Sequence, residues 1–131
     1  MPITLTADVE KLLRDVNNAV NREPGVTDLA LYGRPEFWTL MDGHGGDCED
    51  YALTKRARLI AAGLPPDCLQ IARGRLFDGS GHAVLLVETD RGAYVLDNIN
   101  PAILPWRDRR VSIRRWTDRT SSDGQWVSFT L

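Results

Sequence analysis

The strongest constraint on the fold is a pair of apolar, β-branched runs, residues 82–89 (HAVLLVET) and 93–99 (AYVLDNI), separated by Asp90-Arg91-Gly92. Two such runs around a glycine-containing turn read as an antiparallel hairpin. With Val84 facing Val95, His82 and Asp97 lie directly opposite each other. Cross-strand partners have Cβ atoms roughly 4.5–5.5 Å apart, so an imidazole and a carboxylate placed there can hydrogen-bond.

Around this hairpin the pattern predicts further strands at 68–77 (CLQIARGRLF), 111–116 (VSIRRW) and 125–131 (QWVSFTL). Ahead of it come two helices. Val9, Leu12, Leu13, Val16 and Val20 recur at steps of three and four, with Thr6 or Asp8 as the cap and an end at Asn21 before Pro24-Gly25. The second helix spans about 48–62. Asp47 is its natural N-cap, acids crowd its first turn, and Lys55, Arg56 and Arg58 follow, an order that suits the helix dipole. Gly63 and Pro65-Pro66 stop it. Residues 22–46 are connection, ending in the Gly-rich loop Asp42–Gly46. Helices followed by antiparallel strands make an α+β fold, and 131 residues fit a single domain over 1–131. Nothing approaches 18 consecutive apolar residues, so no segment spans a membrane. A formal charge of −2 makes no global case for nucleic acid, and two cysteines are too few for a disulfide framework.

Three polar residues stand where blander ones are expected. Cys48 opens a helix behind the glycine loop, His82 opens an apolar strand, and Asp97 sits between Leu96 and Asn98. A histidine oriented by an aspartate and facing a cysteine is the nucleophile–base–orienter set of acyl transfer. A helix N-terminus lowers a thiol pKa. It also offers backbone N–H groups, that of Cys48 among them, to a developing oxyanion. The structural readings are a buried cysteine acting as a small hydrophobe and a histidine at a polar strand start. Cys68 is the rival thiol, with buried core as its default, and His44 is the rival base, in a loop that holds nothing firmly.

The same region admits a metal. Asp42, Asp47, Glu49 and Asp50 place four carboxylates beside His44 and Cys48. There is no CxxC or HExxH for zinc, and hard oxygen donors suit calcium, although the EF-hand pattern is absent. Carboxylates beside a cysteine oppose thiolate formation, a conflict that a dication removes. Alternatively these acids merely suit the helix dipole. The arginines at 107, 109, 110, 114, 115 and 119 admit nucleic-acid binding. Asp108 and Asp118 interrupt them, and a solvated strand face accounts for them as well.

The stretch GGDCEDYALTKRARLIAAGLP (45–65), then GHAVLLV (81–87) and YVLDNINPAI (94–103), resembles the bacterial transglutaminase-like cysteine peptidases, relatives of a periplasmic protease that clips a biofilm adhesin. VNNAVN (16–21) and PEFWTLMDGHGGDCED (35–50) extend the likeness over about 16–104. The resemblance implies a papain-like, transglutaminase-like fold in which the cysteine helix packs on an antiparallel sheet. It implies Cys48 as nucleophile, His82 as general base and Asp97 as orienter. Trp38 is a candidate second oxyanion donor. Adhesin-cleaving members need calcium held by acids flanking the cysteine, positions matched by Asp47 and Glu49, with Asp50 beside them. The expected partner is a protein or peptide substrate, without nucleic acid, membrane or organic cofactor, and the chain is expected to be a monomer. The alternatives are amine transfer or amide hydrolysis by the same first half-reaction, and a calcium-dependent binding module without catalysis. The opening MPITLTADVEKLL has no basic stretch followed by an apolar run. A cytoplasmic or phage-associated protein is therefore expected, periplasmic only if the chain is trimmed.

Overall fold

The computed structural model describes residues 2–22, 45–121 and 124–128, with backbone alone for 45–48. Helix α1 runs Ala7–Asn21. Thr6, not Asp8, is its cap: the Thr6 hydroxyl accepts from the Val9 N–H at 3.2 Å. Leu13 and Val20 are fully buried, and Val9, Leu12 and Val16 pack against the cluster that holds Leu13. The stripe therefore serves the core.

Helix α2 spans Gly45–Ala61. It begins earlier than the residue pattern predicts, so Gly45 and Gly46 are helical and Asp47 lies inside the first turn rather than capping it. Its end is a Schellman turn. Gly63 adopts φ +106°, the Leu64 N–H reaches the Leu59 carbonyl, and the Gly63 N–H reaches that of Ile60, both at 3.0 Å. A short 3-10 turn, Pro66–Cys68, leads into the sheet.

The strands are β1 (Leu69–Arg75), β2 (Gly81–Thr89), β3 (Gly92–Leu96), β4 (Leu104–Pro105), β5 (Arg115–Thr120) and β6 (Trp126–Ser128). They form one antiparallel sheet in the order β4-β3-β2-β1-β5-β6. Alternation divides its apolar residues between two layers. Leu69, Ile71, Ala83, Leu85, Val87 and Leu96 face Leu13 of α1 and Ala52 and Leu59 of α2. Ala72, Val84, Leu86, Ala93 and Val95 face Leu104, Val111 and Ile113, with Trp106 and Trp116 at the margin. Residues 111–113 are thus core cover, not strand, and β5 starts later than the expected 111–116. The segment carries its apolar residues inward without ladder bonds, which the period of its sequence could not reveal.

The register of the central hairpin also differs from expectation. Leu85 pairs with Leu96 and Thr89 with Gly92, so the loop is Asp90-Arg91 alone. Gly92 is already in β3 at φ +103°, a conformation other residues rarely adopt. The pairing is displaced by two residues from Val84–Val95. A slip of two preserves which face each side chain occupies; a slip of one would not.

Between Arg73 and Gly74 the β1–β5 pairing skips Thr117, a bulge in β5. Gly74 permits the close approach that follows. A Cβ there would lie 2.4 Å from the Arg115 carbonyl oxygen and 2.5 Å from Ile113 Cγ2. Gly74→Ala is expected to destabilise the fold by about 1–3 kcal/mol, as overpacking in a filled site does. Chemical denaturation measures it: the midpoint should fall with little change in slope.

Candidate active site

His82 is the second residue of β2 and Asp97 follows β3 immediately, both only 2% exposed. Asp97 lies just past the strand and not within it as the residue pattern suggests. Extending the observed register would place Val84 opposite Asp97, so His82 and Asp97 are diagonal neighbours. Diagonal positions are roughly 7–8 Å apart, still within reach of a long or aromatic side chain. The imidazole spans the gap: His82 Nε2 lies 2.7 Å from Asp97 Oδ1.

Asp97 is held from several sides. Its Oδ1 also accepts from the Ile99 N–H at 3.0 Å, and its Oδ2 accepts from the Ser112 hydroxyl. Its carbonyl accepts from Asn21 Nδ2 at 3.0 Å. The covering segment therefore grips the carboxylate, while the end of α1 grips the backbone. Burial pushes the Asp97 carboxyl upward. The hydrogen bond and charge of His82, then Ser112 and Ile99, more than offset this and hold it below the usual carboxylate range. An ionised Asp97 only accepts, so Nε2 of a neutral His82 carries the proton. Nδ1 is left as the basic nitrogen. Ser112 and Asn21 were not singled out in the sequence; a lone serine and a helix-end asparagine carry no signal of this role.

Cys48 is the fourth residue of α2. Its side chain, that of Asp47, and Trp38 and His44 lie outside the described residues. Cys68, the rival thiol, is fully buried, and its Sγ donates to the Pro65 carbonyl at 3.1 Å. Burial pushes its thiol pKa up, which makes it a poor nucleophile. Glu49 and Asp50, the two acids after Cys48, are buried. No group of three metal-ligating side chains occurs among the described residues.

Lys55 went unnoticed in the sequence beyond its contribution to the helix dipole. It is 0% exposed, and its Nζ has no hydrogen-bond partner among the described residues. The ammonium lies 5.9 Å from the centre of the Tyr51 ring. Burial pushes its pKa down to about 8, against the opposing attraction of Asp97. A lysine, a histidine and an aspartate thus interact in the interior, and Glu49 and Asp50 are buried on the same helix as Lys55.

A helix carrying an N-terminal cysteine, packed on an antiparallel sheet whose end holds a buried His–Asp couple, is the α+β arrangement of a transglutaminase-like protein. Within that class the chain belongs to the bacterial transglutaminase-like cysteine proteinase family, which it matches over residues 1–130, and by that membership it is a cysteine peptidase. Solved structures of LapG from Legionella pneumophila share the fold. The calcium-bound form has 23% identity and a TM-score of 0.68 over 93% of this chain and 70% of that one. The EGTA-treated form has 24% identity and a TM-score of 0.67, over 93% and 68%. No curated protein sequence matches the chain significantly.

The buried ammonium predicts an unusual response to mutation. Lys55→Met keeps the stem and removes the charge, and is expected to stabilise the protein by about 1–3 kcal/mol at pH 7. The folded-state pKa is near 8 and the ordinary value is 10.5. Between them the native state sheds its proton while the unfolded chain keeps it, so wild-type stability rises with pH there. The advantage of Lys55→Met should therefore shrink across that window, as denaturant titrations at several pH values will read.

Proposed function

We propose that the chain hydrolyses a peptide bond through Cys48, His82 and Asp97. The observation that carries this reading is the buried 2.7 Å contact between His82 Nε2 and Asp97, at the sheet end of a cysteine peptidase fold. The Cys48 sulfur attacks the carbonyl carbon and its proton passes to His82 Nδ1. Asp97 accepts from Nε2 throughout, which fixes the ring and stabilises the imidazolium. Amides of the first turn of α2, including that of Cys48, stabilise the oxyanion. The intermediate then expels the amine, which takes the proton from His82, and leaves a thioester. Water attacks the thioester with His82 as base, releasing the acid and restoring the thiol.

Calcium fits the donor chemistry of this region. Glu49 and Asp50 are hard-oxygen donors buried beside Cys48 in the sequence, and with Asp47 they would hold the ion. When bound, the ion supplies positive charge beside the thiolate. The calcium-bound form of the similar LapG structure supports this reading.

Cys48→Ala should abolish peptide release while leaving the melting temperature near wild type. Asp97→Asn should lower kcat by at least about a hundredfold, by loss of the correct tautomer. Iodoacetamide at neutral pH should modify Cys48 well before Cys68, and His82→Ala should erase the difference. Equal, slow labelling of both thiols would leave only a binding module.

Chelation by EGTA should lower both activity and melting temperature. Calcium should restore them, and magnesium, which demands a tighter octahedral shell, should not. Unchanged melting and turnover after chelation would reduce the acids around Cys48 to a helix-dipole role.

A further inference from the structure

Beside the His82–Asp97 couple lies a charge distribution that the hydrolytic chemistry does not require. Residues 107–115 (RDRRVSIRR) hold five arginines and one aspartate, a local charge of +4 in a chain whose total is −2. The segment is fastened to the site. Ser112 donates to the Asp97 carboxylate, and Asn100, three residues past Asp97, donates to the Arg110 carbonyl at 3.0 Å. The Arg114 N–H bonds the Arg75 carbonyl at 2.8 Å. In the sheet, Gly81, Arg75 and Arg115 form the end row beside that of His82, Gly74 and Trp116; alternation turns the two rows to opposite faces, and at this end of the sheet the long Arg115 side chain can reach round the edge. With strands about 4.8 Å apart, Arg115 stands roughly 10 Å from the start of β2.

Arg107, Arg109, Arg110, Arg114 and Arg115 are all exposed. Both carboxylate oxygens of Asp108 bond Arg110, which holds that carboxyl down to about 2. Arg107 lies over the Trp106 ring at 4.8 Å. The Arg114 guanidinium bonds the Arg109 carbonyl, at 2.6 Å. Arg109, Arg114 and Arg115 therefore have no hydrogen-bonded carboxylate among the described residues. Ordinary surfaces intersperse the two signs, and clustered like charges focus a field that attracts the opposite one.

We propose that Arg109, Arg114 and Arg115 form a subsite that binds acidic side chains of the polypeptide substrate flanking the scissile bond. The proposal rests on the peptidase reading and specifies its substrate class. Nucleic acid is the weaker fit. Single-strand binders interleave basic residues with exposed aromatic platforms, whereas here Trp106 and Trp116 are partly buried. They pack edge to face at 6.2 Å against the second core layer.

The test separates binding from cleavage. Fluorescence anisotropy with the Cys48→Ala protein compares a labelled Glu/Asp-rich peptide, its Gln/Asn counterpart, a Lys-rich peptide and a single-stranded oligonucleotide. The acidic peptide should bind about tenfold more tightly than the neutral one, as three exposed charge pairs allow, and the preference should fade as salt rises. Arg109→Glu/Arg114→Glu/Arg115→Glu should lose that preference and favour the Lys-rich peptide. Arg115→Gln, milder and at an exposed position, should lose part of it at an unchanged melting temperature. Equal binding of acidic and neutral peptides, a preference that survives in both variants, or tighter binding of the oligonucleotide would each overturn the proposal. In the second arm, the native protein cleaves a peptide library, and Asp and Glu should be enriched near the cleaved bond. Cleavage without that enrichment also overturns it. Acid-selective binding with no cleavage at all would retain the subsite and reject the peptidase reading.

Discussion

The bond between His82 and Asp97 is the contact on which the arrangement depends, because each layer of the protein has a part in making it. The central hairpin supplies both residues, but as diagonal neighbours that need help to meet. Ser112 comes from the segment that covers one face of the sheet, and Asn21 comes from the helix layer on the other. With the carboxylate and its carbonyl both held, the aspartate has little freedom to turn away from the ring. A buried charge-assisted pair is stabilising only when its remaining lone pairs are satisfied. Here each Asp97 carboxylate oxygen has at least one donor.

The same enclosure explains the electrostatics. In a medium of low effective dielectric, charges that would be independent in water act on one another. Burial disfavours the Lys55 ammonium while Asp97 favours it; burial disfavours the Asp97 carboxylate while His82 favours it. Helix α2 presents Glu49, Asp50 and Lys55 to the interior within two turns, an expensive choice for a helix that could have been apolar there. Exposed arginines gather instead on the rim either side of Ser112, with Asp108 paired to Arg110. The molecule thus combines buried, mutually interacting charges with an exposed basic segment anchored to them through Ser112.

Much of the site was legible in local pattern. Period 2 with a turn signal identified the hairpin, and helix signals placed Cys48 in a first turn. The expected register was nevertheless two residues out, and the His–Asp contact survives because that slip preserves face. Asp97 read as a strand residue because the run 93–99 spans it. The Asp97 side chain instead accepts the Ile99 N–H, and β3 ends at Leu96. Residues 111–113 read as strand for a similar reason: apolar alternation shows that side chains are buried but not whether the backbone pairs.

By itself the sequence marked most of the elements and their faces and singled out Cys48, His82 and Asp97 as candidates, because periodicity, caps and turn residues act over a few positions. Only the tertiary structure decided the register, the grip of Ser112 and Asn21, and the burial of Lys55. Those depend on which distant segments exclude water together, a property of packing that no local pattern encodes.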